Sequence, residues 1–467
     1  MNEEDYYKRY HGVCHCSSCQ SRSLEYSDGL ELPARPADTH YAKWLSFSRG
    51  VIDELTARVR AFIAERLPDA CLILGKSADI MFHEANKAIG RELWHHATSD
   101  AVSAWISYRP DVPVLVNSTC FMDMPYRMAS EEPAHFAQYL LQCISRGEIT
   151  QFHKKWKGVY DGLQPCSKTG LVRPDRAQMT APEFEEALNT WQQWQRTGGP
   201  GGRYEVIVLP NLGNLSAEDV DALDDWVLGG GRLIATGSSG VGEGGVVQLK
   251  SLPSRREHAV VSKRELLWSS YFAPQQIRSD AHVYTGPIVP LYGVYHLFEW
   301  KSGTGGRYNM LARAPFSPPE KAYGNAQVEQ RGCGVGHFGS GKGIVIPFTV
   351  GRGYRELGLA VFRDFYATIL RDEGDAKEQL SCSIAEQVEM TVNTNGSQTV
   401  VHLINMSGAR KQNFGSHLPV SGGTIRVLDS SNITARTLLR DKPLEVRHGE
   451  ISLPELDLFE VVVITRI

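Results

Sequence analysis

Tyr204-Glu-Val-Ile-Val-Leu-Pro-Asn211 and Gly230-Gly-Arg-Leu-Ile-Ala-Thr-Gly237 bracket a helical segment, and the three pieces together decide the fold class. The first run is almost continuously apolar up to Pro210, which is how a buried strand reads. Ser216 follows in the position of a helix N-cap, with Asp219 three residues on as the partner in a capping box. Val220, Leu223, Trp226 and Val227 then recur at the three-and-four spacing of one helix face. The glycine cluster Gly229 to Gly231 ends that helix, and Arg232 to Gly237 is the next strand. Strand, helix and strand in this order predict a parallel sheet and an α/β class.

Working outward, Lys342 to Val350 reads as a further strand, and a helix after Gly353 closes the unit. Upstream, Thr169 to Val172 reads as a strand. Glu183 to Gln195 reads as a helix with Phe184, Leu188 and Trp191 on one side. Nearer the start, Trp44, Phe47, Val51, Ile52, Leu55, Val59, Phe62, Ile63 and Leu67 define one helix face, stopped by Pro68. Short strands are expected at Cys71 to Leu74 and at Val114 to Val116, the second entered through Pro113, with a helix from Pro133 to Ser145. In such βα rhythms the chemistry gathers at the carboxyl ends of the strands. After Gly374 the period changes to two, in Val388–Val392, Thr399–Ile404, Thr424–Leu428 and Glu460–Thr465. With turns at Asn395-Gly396 and Gly422-Gly423, these runs predict a small antiparallel sandwich.

The chain has 467 residues, which calls for two or three domains. Its 42% hydrophobic and 22% charged residues are ordinary for a globular protein, and a net charge of -4 gives no basic excess for nucleic acid. No run approaches the length of a membrane span, and the first residues lack the apolar core of a secretory signal, so a cytoplasmic protein is expected. Nine cysteines, an odd number, fit a reducing compartment.

Cys14-His-Cys16-Ser-Ser-Cys19 is the sharpest local motif. Three thiols in six residues are able to converge on one tetrahedral zinc. A structural site takes four ligands, with His11 and His15 the local candidates for the last; the alternative is three reduced surface thiols. Among the acids, Asp79 and Glu84 fall in the loop expected after Cys71–Leu74, Asp100 lies between the two expected strands, and Asp123 follows the second. Glycoside cleavage takes two carboxyl groups, roughly 5 Å apart for retention and further for inversion. Glu84 and Asp100 are the catalytic candidates, with His95, His96 and Asp123 placed to hold sugar hydroxyls; against this, loop acids are as a rule solvated and single histidines structural. Gly336-His-Phe-Gly-Ser-Gly341-Lys342-Gly343 approaches a P-loop, but it lacks the closing hydroxyl and leads into a strand, so it reads as a turn. Leu209-Pro-Asn-Leu-Gly and Ala235-Thr-Gly-Ser-Ser-Gly carry no cysteine where an amidotransferase needs its nucleophile.

The cysteine segment with the Trp44 helix resembles the Cys-Tyr-Cys-x-x-Cys region of family 42 β-galactosidases and of a related group of uncharacterised glycoside hydrolases. The Tyr204–Gly237 stretch is similar to their trimerisation domain. Val401-His-Leu-Ile-Asn-Met-Ser-Gly and Leu453-Pro-Glu-Leu-Asp are similar to their C-terminal β-domain. The resemblance implies a partial (β/α)8 barrel over residues 1–165, a glutaminase-like (flavodoxin-like) α/β unit over 166–375, and an antiparallel β-sandwich over 376–467. It implies zinc on the three cysteines with a fourth cysteine upstream, a carbohydrate substrate, and a homo-oligomer, specifically a trimer. It also implies four or so barrel strands ahead of the cysteines, one bearing the acid/base glutamate. Only 13 residues precede Cys14 here, so the front of the barrel is expected to be missing and the activity impaired. The function expected is hydrolysis of a β-galactoside or related glycoside by two carboxylates; the alternative is a non-catalytic carbohydrate-binding or assembly remnant.

Overall fold

The computed structural model describes residues 15–26, 31–33, 40–66, 79–85, 96–109, 111–118, 133–145, 154–172, 204–263, 269–274, 287–312, 327–410, 413–428 and 432–467, with residues 29, 38 and 267 between them. It is a mixed α/β structure. The expected strand at Cys71–Leu74 and the expected helix at Glu183–Gln195 lie outside these residues.

The N-terminal part holds helices α1 (Ser17–Tyr26), α2 (Tyr41–Arg66), α3 (Ala97–Tyr108), α4 (Pro133–Ser145) and the single turn α5 (Lys157–Tyr160). Strands β1 (Met81–Ala85) and β2 (Val114–Ser118) pair in parallel, Met81 opposite Val114 and Glu84 opposite Asn117. Helices α3 and α4 pack on this pair around Met81, Val102, Val112, Val114 and Cys143. The α2 and α4 boundaries agree with the apolar periodicity to within a few residues. One expectation is corrected. Glu84, assigned to a loop, stands inside β1, because a ladder is built by backbone groups and tolerates polar side chains. Asp100 lies between the two strands, in the first turn of α3, where a carboxylate suits the positive end of the helix.

Strands β3 (Gln164–Pro165), β4 (Thr169–Leu171), β5 (Val206–Pro210), β6 (Arg232–Thr236), β7 (Ser254–Val261), β8 (Tyr271–Pro274), β9 (Val289–Pro290), β10 (Tyr295–Trp300), β11 (Tyr308–Leu311), β12 (Gln327–Arg331), β13 (Gly334–Phe338) and β14 (Gly341–Ile346) follow, with α6 (Ala217–Leu228) after β5. The central sheet is ordered β13-β14-β6-β5-β4; all but β13 are parallel. Ser216 caps α6 as read: its Oγ accepts from Asp219 N–H at 3.1 Å and donates to the Asp219 carboxylate at 2.6 Å. Helix α7 (Val350–Leu357) begins earlier than expected and contains Gly353, which the Phe362 ring crowds too closely for a Cβ. Helix α8 (Ala360–Asp372) buries Phe362, Phe365, Tyr366 and Ile369 against the sheet.

The P-loop-like glycines form the β13–β14 hairpin. A Cβ on Gly341 would strike the Val227 and Gly231 carbonyl oxygens, and one on Gly343 the Ser251 carbonyl oxygen. These glycines therefore serve close backbone approach.

Strands β15 (Leu380–Ser383), β16 (Val388–Thr394), β17 (Gln398–Asn405), β18 (Ala409–Arg410), β19 (Asn413–Phe414), β20 (Thr424–Val427), β21 (Ile433–Thr437), β22 (Val446–Arg447), β23 (Glu450–Ser452) and β24 (Phe459–Arg466) make the C-terminal part. One sheet is ordered β15-β20-β23-β22 and the other β21-β24-β17-β16-β3, both antiparallel. Val401, Leu403, Ile425, Ile451 and Val462 fill the space between them. The second sheet is also covered on its outer face. Val400, Ile404, Val461 and Val463 pack there with Ala134, Leu141 and Ile144 of α4 and with Trp156 and Tyr160. That third layer, and the edge strand β3 donated from ahead of β4, tie the two ends of the chain together.

Candidate active site

Two places present carboxyl ends of parallel strands. In the central sheet the turns after β5 and β6 close on each other. Asn211 Oδ1 accepts from Ser238 N–H at 2.9 Å and Ser238 Oγ at 3.1 Å, and Gly240 N–H donates to Gly213 O at 2.7 Å. Asn211 holds a left-handed backbone, φ 55°, to reach this bond. The groups satisfy one another, and neither turn contains a cysteine.

The other place is the β1–β2 pair. Glu84 stands one residue from the carboxyl end of β1, and its register partner on β2 is Asn117, followed by Ser118 opposite Ala85. Among the described residues, no second carboxylate occupies the neighbouring register positions. Glu84 is described by its backbone alone, and Asp123, His95 and Cys14 lie outside the described residues.

His96 and Asp100 start α3, and both are buried. α3 has no cap from its own N-terminal side chain; the neighbours supply it. Gln142 Oε1 of α4 accepts from Ser99 N–H at 3.1 Å, and Ser99 Oγ donates to Glu389 Oε1 of β16 at 2.7 Å. Glu389 Oε2 pairs with His96 Nδ1. A carboxylate only 8% exposed is thus held at the positive end of a helix by an imidazole and a hydroxyl. His96, expected to hold sugar hydroxyls, has Glu389 as a partner. Along the same strand Asn393 Nδ2 donates to Ser145 O at 3.3 Å, and on the neighbouring β17 His402 Nε2 meets Tyr160 OH at 2.7 Å. Burial pushes the Tyr160 phenol far above its ordinary range, so it stays neutral and a hydrogen-bonding partner.

Glu389 was missed in the sequence because Val388-Glu-Met-Thr-Val-Asn393 alternates apolar and polar, the signature of a strand with one face in water. The only available signal was the neighbouring β17 run, Val400-Val-His-Leu-Ile, too apolar for a half-exposed strand.

A cleft of about 1170 Å³ opens between α3, β16 and α8. Ser99, Asp100 and Ser103 line one wall, Thr391 and Asn393 another, and Tyr366 and Arg363 a third. Its floor reaches Ile80 and Val112 to Leu115, at the amino ends of β1 and β2. Glu84 lies four residues further along β1, roughly 13 Å at strand rise.

Cys16 and Cys19 come together at the start of α1, where Cys19 N–H donates to Cys16 Sγ at 3.5 Å. Two cysteines are half of a tetrahedral set, and the described residues contain no group of three ligands. No described helix is long and apolar enough to cross a membrane.

No protein-family model matches the sequence, and no curated protein matches it. Solved structures do. α-L-Fucosidase isoenzyme 2 from Paenibacillus thiaminolyticus superposes with a TM-score of 0.71 at 13% identity, covering 97% of this chain and 76% of that one. A β-galactosidase from Bacillus circulans sp. alkalophilus gives 0.69 at 11% identity, covering 98% and 78%. The family 42 β-galactosidase Gan42B of G. stearothermophilus gives 0.65 at 13%, covering 98% and 77%. The chain therefore has the fold shared by family 42 β-galactosidases and this fucosidase, and the resemblance read in the sequence holds at the level of fold.

Proposed function

We propose that this protein is a carbohydrate-active enzyme of glycoside-hydrolase type, cleaving a β-galactoside or related glycoside. The observation that carries the reading is the fold match over nearly the whole chain to three glycosidases, with Glu84 at the carboxyl end of a parallel strand. In this reading β1, β2, α3 and α4 are part of a (β/α)8 barrel, ahead of a trimerisation-like α/β unit and a β-sandwich. Glu84 supplies a carboxyl group to the scissile bond, either to protonate the leaving oxygen or to attack or activate water at the anomeric carbon. Asp100, in a helix whose first turn faces the cleft, is the second candidate. A zinc on Cys14, Cys16 and Cys19 has a structural part, holding the start of α1.

A second reading is favoured by one observation: the register position beside Glu84 is Asn117, which is not an acid. In that reading the chain binds carbohydrate without cleaving it.

The test is hydrolysis of a panel of aryl β- and α-glycosides by the purified chain, with Glu84→Gln and Asp100→Asn alongside. Turnover that falls at least a hundredfold in Glu84→Gln supports the proposal; loss in Asp100→Asn alone moves the role to Asp100. A folded chain with no turnover on any glycoside overturns it in favour of the second reading.

A further inference from the structure

The face of β16 that carries Glu389, Thr391 and Asn393 is turned away from the sandwich core and covered by the N-terminal helices. All three side chains are buried, and all three border the cleft. Glu389 is held by His96 and Ser99, and Asn393 by Ser145. Thr391 is different. It is 6% exposed, and its Oγ1 has no hydrogen-bond partner among the described residues. A buried hydroxyl left unmade is a costly feature, and valine would fill the same volume without it. Its wall therefore points to something that completes the hydrogen bond.

The surrounding chemistry narrows what that is. Across the cleft α3 offers the hydroxyls of Ser99 and Ser103 and the carboxylate of Asp100, and the Tyr366 ring closes a further side. Four cations also line the cleft: Lys168 pairs with Glu205, Arg363 with Asp364 and Glu386, and Arg371 with Asp372, and Lys377 is the fourth. Hydroxyls, an amide and carboxylates, with three of the four cations already paired to carboxylates, suit a neutral ligand rich in hydroxyl groups, which both donates and accepts, better than a phosphate or carboxylate ligand.

We infer that the cleft between α3, β16 and α8 is a second, non-catalytic site for a neutral saccharide, with Thr391 Oγ1 as an anchoring hydrogen bond. The site lies toward the amino ends of β1 and β2, away from Glu84; it goes beyond the catalytic reading in its Glu84 form and rests on Asp100, which lines the same cleft, having no catalytic part.

The experiment is calorimetric titration of the full chain with galactose and with lactose, repeated on Thr391→Val, Thr391→Ser and Glu84→Gln. Thr391→Val is expected to weaken one binding event at least tenfold, Thr391→Ser to restore it, and Glu84→Gln to leave it in place whether or not turnover is lost. Hydrolysis by Thr391→Val, if the chain hydrolyses, stays within twofold of the parent. Sugar binding identical in the parent and in folded Thr391→Val overturns the inference, as does binding that Glu84→Gln abolishes entirely. No binding of either sugar, with inorganic phosphate binding instead, overturns the ligand class.

Discussion

The β5–α6–β6 unit and the β16–β17 hairpin are built from equally clear sequence patterns, yet only the first can be read correctly from its own residues. In β5–α6–β6 each local signal agrees with the final environment. Val206, Val208, Leu233 and Ile234 are apolar and buried, Ser216 caps, and Gly231 clears the Trp226 ring. In β16 the alternation of Val388, Met390 and Val392 with Glu389, Thr391 and Asn393 correctly predicts a strand and its inner face. It wrongly assigns the polar face to water. The reason is physical: alternation reports which face is more apolar, and solvation of the other depends on elements more than two hundred residues away. Here those elements are α3 and α4, and the polar face becomes a buried hydrogen-bonded seam.

That difference sets the first prediction. Glu389→Ala leaves His96 and Ser99 without their acceptor in a buried seam, and breaking one side of such a pair costs about 3–5 kcal/mol. Denaturant unfolding followed by tryptophan fluorescence should show that loss. A cost near zero would mean the β16 face is solvated after all, and the contrast between the two regions would fail.

The second prediction concerns the well-read region. Gly343→Ala places a Cβ against the Ser251 carbonyl oxygen in the middle of β14, where backbone has no room to withdraw. Overpacking of this kind costs about 2–3 kcal/mol, read as a lowered unfolding midpoint. An unchanged midpoint would restore the idea that these glycines serve a bound group and not the sheet.

How legible the molecule was follows the same division. Strands β2, β5, β6, β16, β17 and β24 and helices α2, α4 and α6 lay where periodicity and capping put them. β1 escaped because His83 and Glu84 break its apolar run, and α3 escaped because its cap comes from Gln142 of α4, not from a residue at its own start. Of the candidate site, Glu84 was named for following the expected Cys71–Leu74 strand, and it stands in a different strand, β1. Glu389 and Thr391 could not be named, because nothing within β16 distinguishes a polar face under helices from one under water.

The smallest expected effect lies at the amino ends of β6 and β14, where Arg232 and Lys342 converge on Asp375 just beyond α8. Lys342 Nζ stands 2.9 Å and Arg232 Nη2 3.0 Å from Asp375 Oδ2. The Lys342 hydrogen bond, more than the Arg232 one, holds the Asp375 carboxyl below its ordinary value. A lowered folded-state value stabilises the protein above the ordinary aspartate range, near 3.9, and that stabilisation is lost as pH falls through the lowered value. Asp375 has φ 49°, a conformation asparagine also accepts, so Asp375→Asn removes the charge with little backbone penalty. With the side chain 45% exposed, solvent screening keeps the difference between parent and variant below about 1 kcal/mol. That difference should be constant from about pH 5 to neutrality, shrink below about pH 4, and diminish with added salt. A pH series of thermal unfolding curves measures it, and a gap that persists undiminished to pH 2 would show that Asp375 clips α8 to the sheet by its backbone geometry and not by its charge.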